Sequence, residues 1–337
     1  MNIFEFLYQL IFGYLVFSDP PNNGTSITNN TITTINNDFN ITNITYITNN
    51  NNTTNPTSTT YNNNNYREFI TLTDATIIKI NEGNVKIHAY KPLRYLVSSY
   101  IIELPNKLVI IDFQSNPNDG YNFYQYALSL NKTIERSILT HYHFDHWNGV
   151  DCFQELAPIF ALNETFNQIR DYYIFGRPNY FQDRAADLLF YLKPIKLGSE
   201  TIDGIQFTFE KIDGGENPNT LIISLPDYQV VAVADLVYNQ FHVYFGETTD
   251  FSQWISILKN FQNKYPFRNV LVGHGDPAAF EQYQETIDYI EHVRNIANTF
   301  KNLADYRNSI LRKYPNHGNQ AIINCPFTNL DCVYGIF

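Results

Sequence analysis

The sequence has few basic residues. Its 337 residues contain 22 Lys and Arg against 33 Asp and Glu, which gives a formal net charge of −11. Residues 1–66 contain three of these acids and no Lys or Arg, so the remainder of the chain has a net charge of −8. Binding of nucleic acid depends on clustered positive charge. The composition therefore argues against nucleic acid as a partner.

The apolar N-terminal segment, residues 1–21, is too short to cross a membrane. Its apolar run ends at Phe17, whereas a transmembrane helix needs about 20 apolar residues, so no transmembrane span is expected. The run is similar to the hydrophobic part of a secretory signal peptide. However, Glu5 stands where basic residues are expected, and SDPP is not a typical small-residue cleavage site. Secreted and cytoplasmic locations both stay open.

Cysteine is scarce, with three in the chain. Cys325 and Cys332 can form a disulfide if the protein is secreted, and two free thiols are the alternative. Cys152 is expected to be a small buried apolar residue.

Residues 22–66 form a low-complexity segment. Asn and Thr fill 30 of the 44 positions from 22 to 65. Such a segment has too little apolar surface to offset the entropy lost on ordering, so we expect it to be disordered. The folded domain is expected to span residues 67–337, which is long enough for a large core.

The folded part alternates between groups of predicted strands and groups of predicted helices. Strand patterns in the first half end with KLVIID and ERSILT, and those in the second half are IQFTFEKI, TLIISL, QVVAVAD and NVLVGHG. Helical spacing is found in YNFYQYALSL, in most of 147–192, in FSQWISILKNFQNKY and over about 277–302. This order predicts an α/β fold with two packed sheets and helices outside.

Three histidines and an aspartate lie together in the stretch THYHFDHWNGV, directly after a predicted strand. In an extended loop His141 and His143 point the same way and can share one ion. Asp145 and His146 are adjacent and must diverge, which suits a second ion or a supporting role behind the ligands. Imidazole and carboxylate ligands indicate Zn²⁺, Fe or Mn²⁺. No cysteine lies in the cluster, which argues against a structural zinc finger.

The HYHFDH stretch resembles the H-x-H-x-D-H signature of the metallo-β-lactamase superfamily, and the resemblance extends from about Phe69 to Phe280. Asp112, which ends KLVIID, resembles the acid of the family's early strand and is expected to hold the loop around the site. Asp235 in VVAVADLVYN resembles the bridging aspartate, and His274 in VGHGDP the late histidine ligand. The resemblance implies an αββα four-layer sandwich with two mixed sheets.

One position departs from the family pattern. The family usually has a histidine in a G-H-[ST]-x-G-[ST] loop, and the equivalent GENPNT has Glu216 there. Glu can bind zinc, so the resemblance implies two sites that share Asp235. Their ligands would be His141, His143, Glu216 and Asp235 for the first, and Asp145, His146, Asp235 and His274 for the second. Alternatively, Glu216 is a solvated or helix-capping acid and the first site is weak or empty.

The resemblance implies a hydrolase that contains one or two zinc ions, with iron or manganese as alternatives. A bound metal lowers the pKa of water to about 7 and so supplies hydroxide at neutral pH. Asp145 would hold or deprotonate the attacking water and pass a proton to the leaving group. The expected substrate is a small ester, thioester, lactone or amide. A mononuclear iron enzyme of the same fold and a non-catalytic metal-stabilised binding protein are the alternatives.

The remaining histidines have no partner pattern. His242 lies seven residues after Asp235 and is interpreted as a surface residue, although it could reach a substrate. The others are expected to be ordinary polar residues: His88, His292 and His317.

Overall fold

The protein is described here by a computed structural model covering residues 43–48, 66–93, 97–154, 158–176, 181–248, 250–297 and 299–324. The N-terminal segment 1–21, the pair Cys325 and Cys332, and most of the Asn- and Thr-rich segment lie outside the described residues. None of the helices within these residues is long and apolar enough to span a membrane.

The first sheet has nine strands in sequential order, β1 to β9. Neighbours are antiparallel up to β6, and β6 to β9 are parallel. The strands are β1 Asn43–Thr48, β2 Tyr66–Thr71, β3 Ala75–Glu82, β4 Val85–Pro92, β5 Ser99–Glu103, β6 Lys107–Ile111, β7 Thr133–Ile138, β8 Ile159–Ala161 and β9 Leu192–Pro194.

The second sheet has five strands, also in sequential order. It is antiparallel except for its last pair, which is parallel. The strands are β10 Gly198–Ile202, β11 Ile205–Asp213, β12 Asn219–Leu225, β13 Val230–Tyr238 and β14 Asn269–His274.

Six α-helices connect or follow these strands in the described residues. They are α1 Pro117–Ser129, α2 Asn163–Ile169, α3 Phe181–Tyr191, α4 Phe251–Lys264, α5 Gln282–Ala297 and α6 Leu303–Lys313. A π-helical stretch, Arg170–Gly176, continues α2. The prediction that most of 147–192 is helical is confirmed, and the short strand β8 interrupts it at Ile159–Ala161.

Three hydrophobic clusters lie between four layers. In β6, Val109 and Ile111 face the second sheet and join a cluster with Phe207 and Leu221. Leu108 and Ile110, which point to the opposite face of the same strand, pack with residues of α1 and α3. A third cluster lies between the second sheet and α4, α5 and α6. The predicted αββα sandwich with two mixed sheets is confirmed.

The N-terminal edge of the first sheet includes residues that were expected to be disordered. Within the segment 22–66, Asn43–Thr48 forms β1 and pairs antiparallel with β2. Six alternating Thr, Ile, Tyr and Asn positions are enough for this pairing, because β-branched and aromatic residues favour strands.

The helix predicted over about 277–302 is shorter in the structure. Ala278 and Val270 exchange backbone hydrogen bonds of 2.9 Å in both directions, so Ala278 pairs with strand β14 and cannot be helical. The helix α5 begins only at Gln282. At the other end, the side chain of Asn302 accepts a hydrogen bond from the backbone N–H of Asp305 and caps α6. The predicted helix therefore extends beyond α5 at both ends, and α6 was not predicted.

His88 was expected to be an ordinary polar residue without a partner pattern, but its side chain is fully buried in the first sheet and has two side-chain partners. Its Nδ1 lies 2.7 Å from the Tyr126 hydroxyl and its Nε2 lies 2.9 Å from Oε2 of Glu103. Burial lowers the pKa of His88, so the neutral ring accepts from Tyr126 and donates to Glu103. Lys132 and Lys86 donate to the other oxygen of Glu103, at 2.8 and 3.2 Å.

Replacement of Glu103 by Gln is expected to destabilise the protein in a pH-dependent way. The hydrogen bond from His88 outweighs burial and, with Lys132 and Lys86, holds the pKa of Glu103 well below its usual 4.5. The stabilisation by this carboxylate is therefore complete above pH 4.5 and is lost as the pH falls further. We expect a loss of about 2 kcal/mol at pH 7, measured by urea unfolding, and a smaller loss at pH 3. An equal loss at both pH values would contradict this role.

Candidate metal centre

The loop that follows β7 holds three of the four histidines of the centre. Its first part is bound to the second sheet, because the backbone N–H of Leu221 donates to Thr140 O at 2.9 Å. Its second part forms a 3₁₀ turn at Phe144–His146, and the indole N–H of Trp147 donates to Tyr142 O at 2.8 Å. The loop is therefore bound to the second sheet at its start and is closed by a hydrogen bond within itself.

Asp112 fixes this loop from the end of the neighbouring strand β6. Its carboxylate accepts hydrogen bonds from the backbone N–H of Thr140 at 2.9 Å and from the Thr140 hydroxyl at 2.8 Å. The same carboxylate lies 2.8 Å from Nδ1 of His146. Asp112 adopts a left-handed backbone conformation with φ of 59°. The predicted role of Asp112 in holding the loop is confirmed.

The second sheet supplies three further side chains. Glu216 lies in the turn before β12, Asp235 lies within β13, and His274 is the last residue of β14. Ala234 has φ of 47°, and the register of β13 against β14 shifts at this residue. A bulge of this kind redirects the side chain that follows it, and here the redirected side chain is that of Asp235.

The side chains predicted for the first ion site lie together. The Nδ1 atom of His143 is 3.2 Å from Nε2 of His141 and 3.3 Å from Oε1 of Glu216. Oδ2 of Asp235 is 3.8 Å from Nε2 of His141. The four ligand atoms all lie within 4.8 Å of one another.

The side chains predicted for the second ion site form an adjacent group. Oδ2 of Asp145 lies 3.5 Å from Nε2 of His274 and 3.8 Å from Nε2 of His146. Asp235 contacts this group as well, through Oδ2 at 3.1 Å from His274 and Oδ1 at 3.3 Å from His146. The carboxylate of Asp235 therefore lies between the two groups.

The donor atoms fit a transition-metal ion. Among the described residues, Nε2 of His146, Oε1 of Glu216 and Oδ1 of Asp235 are buried and have no hydrogen-bond partner. Buried polar atoms without a partner are costly, and these three are directed at their neighbours in the cluster. Imidazole nitrogen with carboxylate oxygen is a donor set for zinc, iron or manganese. The seven predicted residues lie together, and binding of an ion by them stays a prediction.

Protonation of the metal-free cluster is set by burial and by its charges. Burial lowers the pKa of His141, and the imidazole of His146 lowers it further. Burial also lowers the pKa of His143, but the carboxylates of Glu216 and Glu247 outweigh it and raise this pKa to about 10. Burial raises the pKa of Glu216. Protons are therefore held on ligand atoms, and a cation that replaced them would bind less well at low pH.

The structure identifies two residues that the sequence analysis missed. Gly273 leaves room for Asp235, because a Cβ at this position would lie 1.7 Å from Oδ1 of Asp235. Glu247 lies on the far side of His143, with Oε2 3.2 Å from Nε2 of that histidine. Gly273 is part of VGHG and could have been found next to His274. The spacing of Glu247 carries no signal, because it lies on an irregular loop.

Tyr238 also lies beside the centre. The ring of Tyr238 stacks on that of His274 at 5.3 Å, and its hydroxyl lies 3.3 Å from Oδ2 of Asp235. The interpretation of His242 as a surface residue is wrong. Its side chain is fully buried, and Nδ1 lies 2.8 Å from the Tyr289 hydroxyl, because the loop after β13 passes beneath α5.

A profile of the metallo-beta-lactamase superfamily matches residues 93–279, which is more than half of the chain. The chain belongs to the metallo-β-lactamase superfamily. The resemblance of the HYHFDH stretch to this family is thereby confirmed. Comparison with curated proteins found no match.

Solved structures show the same fold. TMB-1 has a TM-score of 0.51 and 18% identity over 66% of this chain and 100% of its own. VMB-1 has a TM-score of 0.51 and 16% identity over 66% of this chain and 98% of its own. A metallo-beta-lactamase from Pontibacter korlensis has a TM-score of 0.49 and 16% identity, covering 67% and 99%. The likeness to TMB-1 and VMB-1, at these identities, concerns the fold alone.

Glu216, the departure from the family pattern, is neither solvated nor a helix cap. Its side chain is fully buried, and Oε2 accepts a hydrogen bond from Nδ2 of Asn217 at 2.9 Å. This contact leaves Oε1 directed at His143. The carboxylate therefore lies among the atoms of the first group.

Replacement of Gly273 by Ala is expected to displace Asp235 and weaken metal binding more than tenfold. Gly273 is not among the glycines with positive φ. Alanine is therefore excluded at this position by the nearby Asp235 carboxylate and not by the backbone conformation. The measurement is zinc affinity by chelator competition, with circular dichroism to confirm folding. Gly83→Ala is the control, because Gly83 has φ of 71° with nothing within 4 Å of a Cβ. Gly83→Ala should lose stability without losing zinc, and equal zinc affinities in the two variants would contradict the role of Gly273.

Proposed function

We propose that this protein is a zinc-dependent hydrolase that acts on a small ester, thioester, lactone or amide. The observation that carries the proposal is the position of Asp235, whose two oxygens contact the ligand atoms of both groups. Membership of the metallo-β-lactamase superfamily supports a metal-dependent hydrolase, and the class of substrate and the identity of the metal are parts of the proposal.

Two ions would be held by the two groups. His141, His143 and Glu216 would hold one, Asp145, His146 and His274 the other, and Asp235 would contact both. Bound zinc supplies Lewis acidity, which makes water nucleophilic at neutral pH and stabilises negative charge on a carbonyl oxygen.

Asp145 is the carboxylate that a substrate can reach. Its side chain is 24% exposed, against 3% for Asp235 and 0% for Glu216. A carboxylate at the edge of the cluster can orient an attacking water, accept its proton and deliver that proton to the leaving group. Asp235 and Glu216 are enclosed by other ligand atoms, so they suit charge compensation rather than proton transfer.

The charge of the protein favours a small substrate over a nucleic acid. The net charge is −11, and a polyanion would be repelled at long range. An uncharged ester, lactone or amide is not repelled by this field.

Replacement of Asp145 by Asn tests the catalytic part of the proposal. We expect the wild-type protein loaded with zinc to hydrolyse at least one class in a panel of thioester, lactone, ester, β-lactam and phosphodiester substrates. Asn cannot take up the proton, so kcat/KM for that substrate should fall by about 10²–10⁴-fold. Steady-state kinetics at matched zinc occupancy provide the measurement.

A control variant of similar charge change is Glu285→Gln, since Glu285 is an exposed residue of α5 and should leave kcat/KM unchanged. Wild-type protein that carries iron and hydrolyses no member of the panel would contradict the hydrolase and favour an iron enzyme of the same fold. Metal-loaded protein without any activity would favour the non-catalytic alternative.

Replacement of Glu216 by Ala tests the first group of ligands. We expect the wild-type protein to bind two equivalents of zinc and Glu216→Ala to bind one, because the first group would keep two imidazoles and a shared carboxylate only. Metal analysis after dialysis against a weak chelator measures the stoichiometry. Glu285→Ala should keep both equivalents. Two tightly bound equivalents in Glu216→Ala would show that this side chain is not a ligand.

A further inference from the structure

Each imidazole of the centre directs one ring nitrogen at the other ligand atoms. In two of these residues, the second ring nitrogen, which faces away from the ligand atoms, contacts another side chain. Nδ1 of His141 lies 2.9 Å from the Thr140 hydroxyl, and Nδ1 of His146 lies 2.8 Å from Oδ2 of Asp112. Such outer partners fix the tautomer and the orientation of a metal-binding histidine.

His143 is turned the opposite way. Its Nδ1 faces His141 and Glu216 in the first group, so Nε2 is its outer nitrogen. Nε2 lies 3.2 Å from Oε2 of Glu247. The two nitrogens are on opposite sides of the imidazole ring. Glu247 therefore contacts His143 from outside the group of ligand atoms.

Glu247 is itself held in place. The hydroxyl of Tyr142 donates a hydrogen bond to Oε2 of Glu247, the same oxygen that faces His143. Tyr142 is the residue between His141 and His143, and its ring packs 4.7 Å from that of His143. The Glu247 side chain is only 8% exposed. One carboxylate oxygen thus contacts two consecutive side chains of the ligand loop.

We propose that Glu247 is a positioning residue for the metal centre, which holds His143 with Nδ1 directed at the first ion site. The Asp112–His146 contact is a hydrogen bond, whereas Nε2 of His143 and Oε2 of Glu247 form an ion-pair contact without hydrogen-bond alignment. The negative charge of Glu247 favours the tautomer with the proton on Nε2 and increases the basicity of Nδ1. This inference rests on the proposed function, because it requires that His143 binds a metal ion. It assigns to Glu247 no contact with the substrate.

The charge of Glu247 has a second consequence for the first site. Glu216 stands where the family pattern has a histidine, and together with Glu247 it encloses the His143 ring between two carboxylates, at 3.3 and 3.2 Å. Both negative charges favour a cation at this site over a neutral occupant. The contribution of Glu247 comes through His143, so it should affect affinity and leave the number of bound ions unchanged.

Replacement of Glu247 tests the proposal by zinc affinity and by a spectroscopic signature. Glu247→Ala should keep two equivalents at saturating zinc, and its weaker site should lose about 10–100-fold in affinity. Glu247→Gln keeps an oxygen that can accept from the imidazole and should lose less. In long-range ¹H–¹⁵N spectra of zinc-loaded protein, the Nε2–H resonance of His143 should shift in both variants. The Nδ1–H resonance of His146, which depends on Asp112, should stay in place.

The matched control is Glu210→Ala. Glu210 also accepts a hydrogen bond from a tyrosine, Tyr265, at 2.7 Å, and it lies on β11 away from the centre. It should alter neither zinc affinity nor the histidine resonances. Unchanged zinc affinity in Glu247→Ala, with a wild type that binds two ions, would overturn this inference alone. Loss of one equivalent in Glu247→Gln would overturn it by making Glu247 a ligand, and a wild type that binds no metal would overturn the proposed function as well.

Discussion

Burial of several ionisable side chains in contact with one another is the constraint on which this structure depends. His141, His146, Glu216 and Asp235 are all buried. Groups of this kind cost several kcal/mol each unless they are paired or hydrogen-bonded. The metal-free protein compensates part of this cost by holding protons on ligand atoms such as His143. A divalent cation compensates the remaining negative charge directly, which links stability to metal binding.

The fold meets this constraint by bringing two sheets together at one edge. The first sheet delivers the loop after β7, and the second delivers Asp235 from within β13 and His274 from the end of β14. Asp112 and Ala234 both adopt left-handed backbone conformations beside the centre. Such conformations cost about 1–3 kcal/mol in residues other than glycine. They persist because the surrounding layers are packed by three hydrophobic clusters, and they set the direction of the carboxylates.

The sequence predicts those parts of the structure that are written in local patterns. The strands that end at Asp112 and His274 were evident from their apolar runs, and the HYHFDH spacing identified the ligand loop. Parts that depend on three-dimensional packing were not predictable in this way. The contact of Glu247 with His143 joins residues that are 104 positions apart. Asp235 needs the space beside Gly273 only because a bulge turns its side chain in that direction. The burial of His242 beneath α5 likewise follows from tertiary packing.

The same distinction explains the errors at element boundaries. Helical periodicity continues across residues 277–302, but Ala278 is bound to the sheet edge and Asn302 caps the next helix. The types of side chain that could bind a metal ion were predictable from the sequence. The contacts that orient those side chains were not. Asp112 and Glu247 make contacts of this second kind, although both are ordinary acids in the sequence.

Anomalous diffraction at the zinc edge, from crystals grown with zinc, tests the central claim most directly. The account predicts two anomalous peaks about 3.5–4 Å apart, one on each side of the Asp235 carboxylate, with His143 and Glu216 contacting the first and His274 contacting the second. A map without a peak at this position, or with the only peaks at the protein surface, would contradict it.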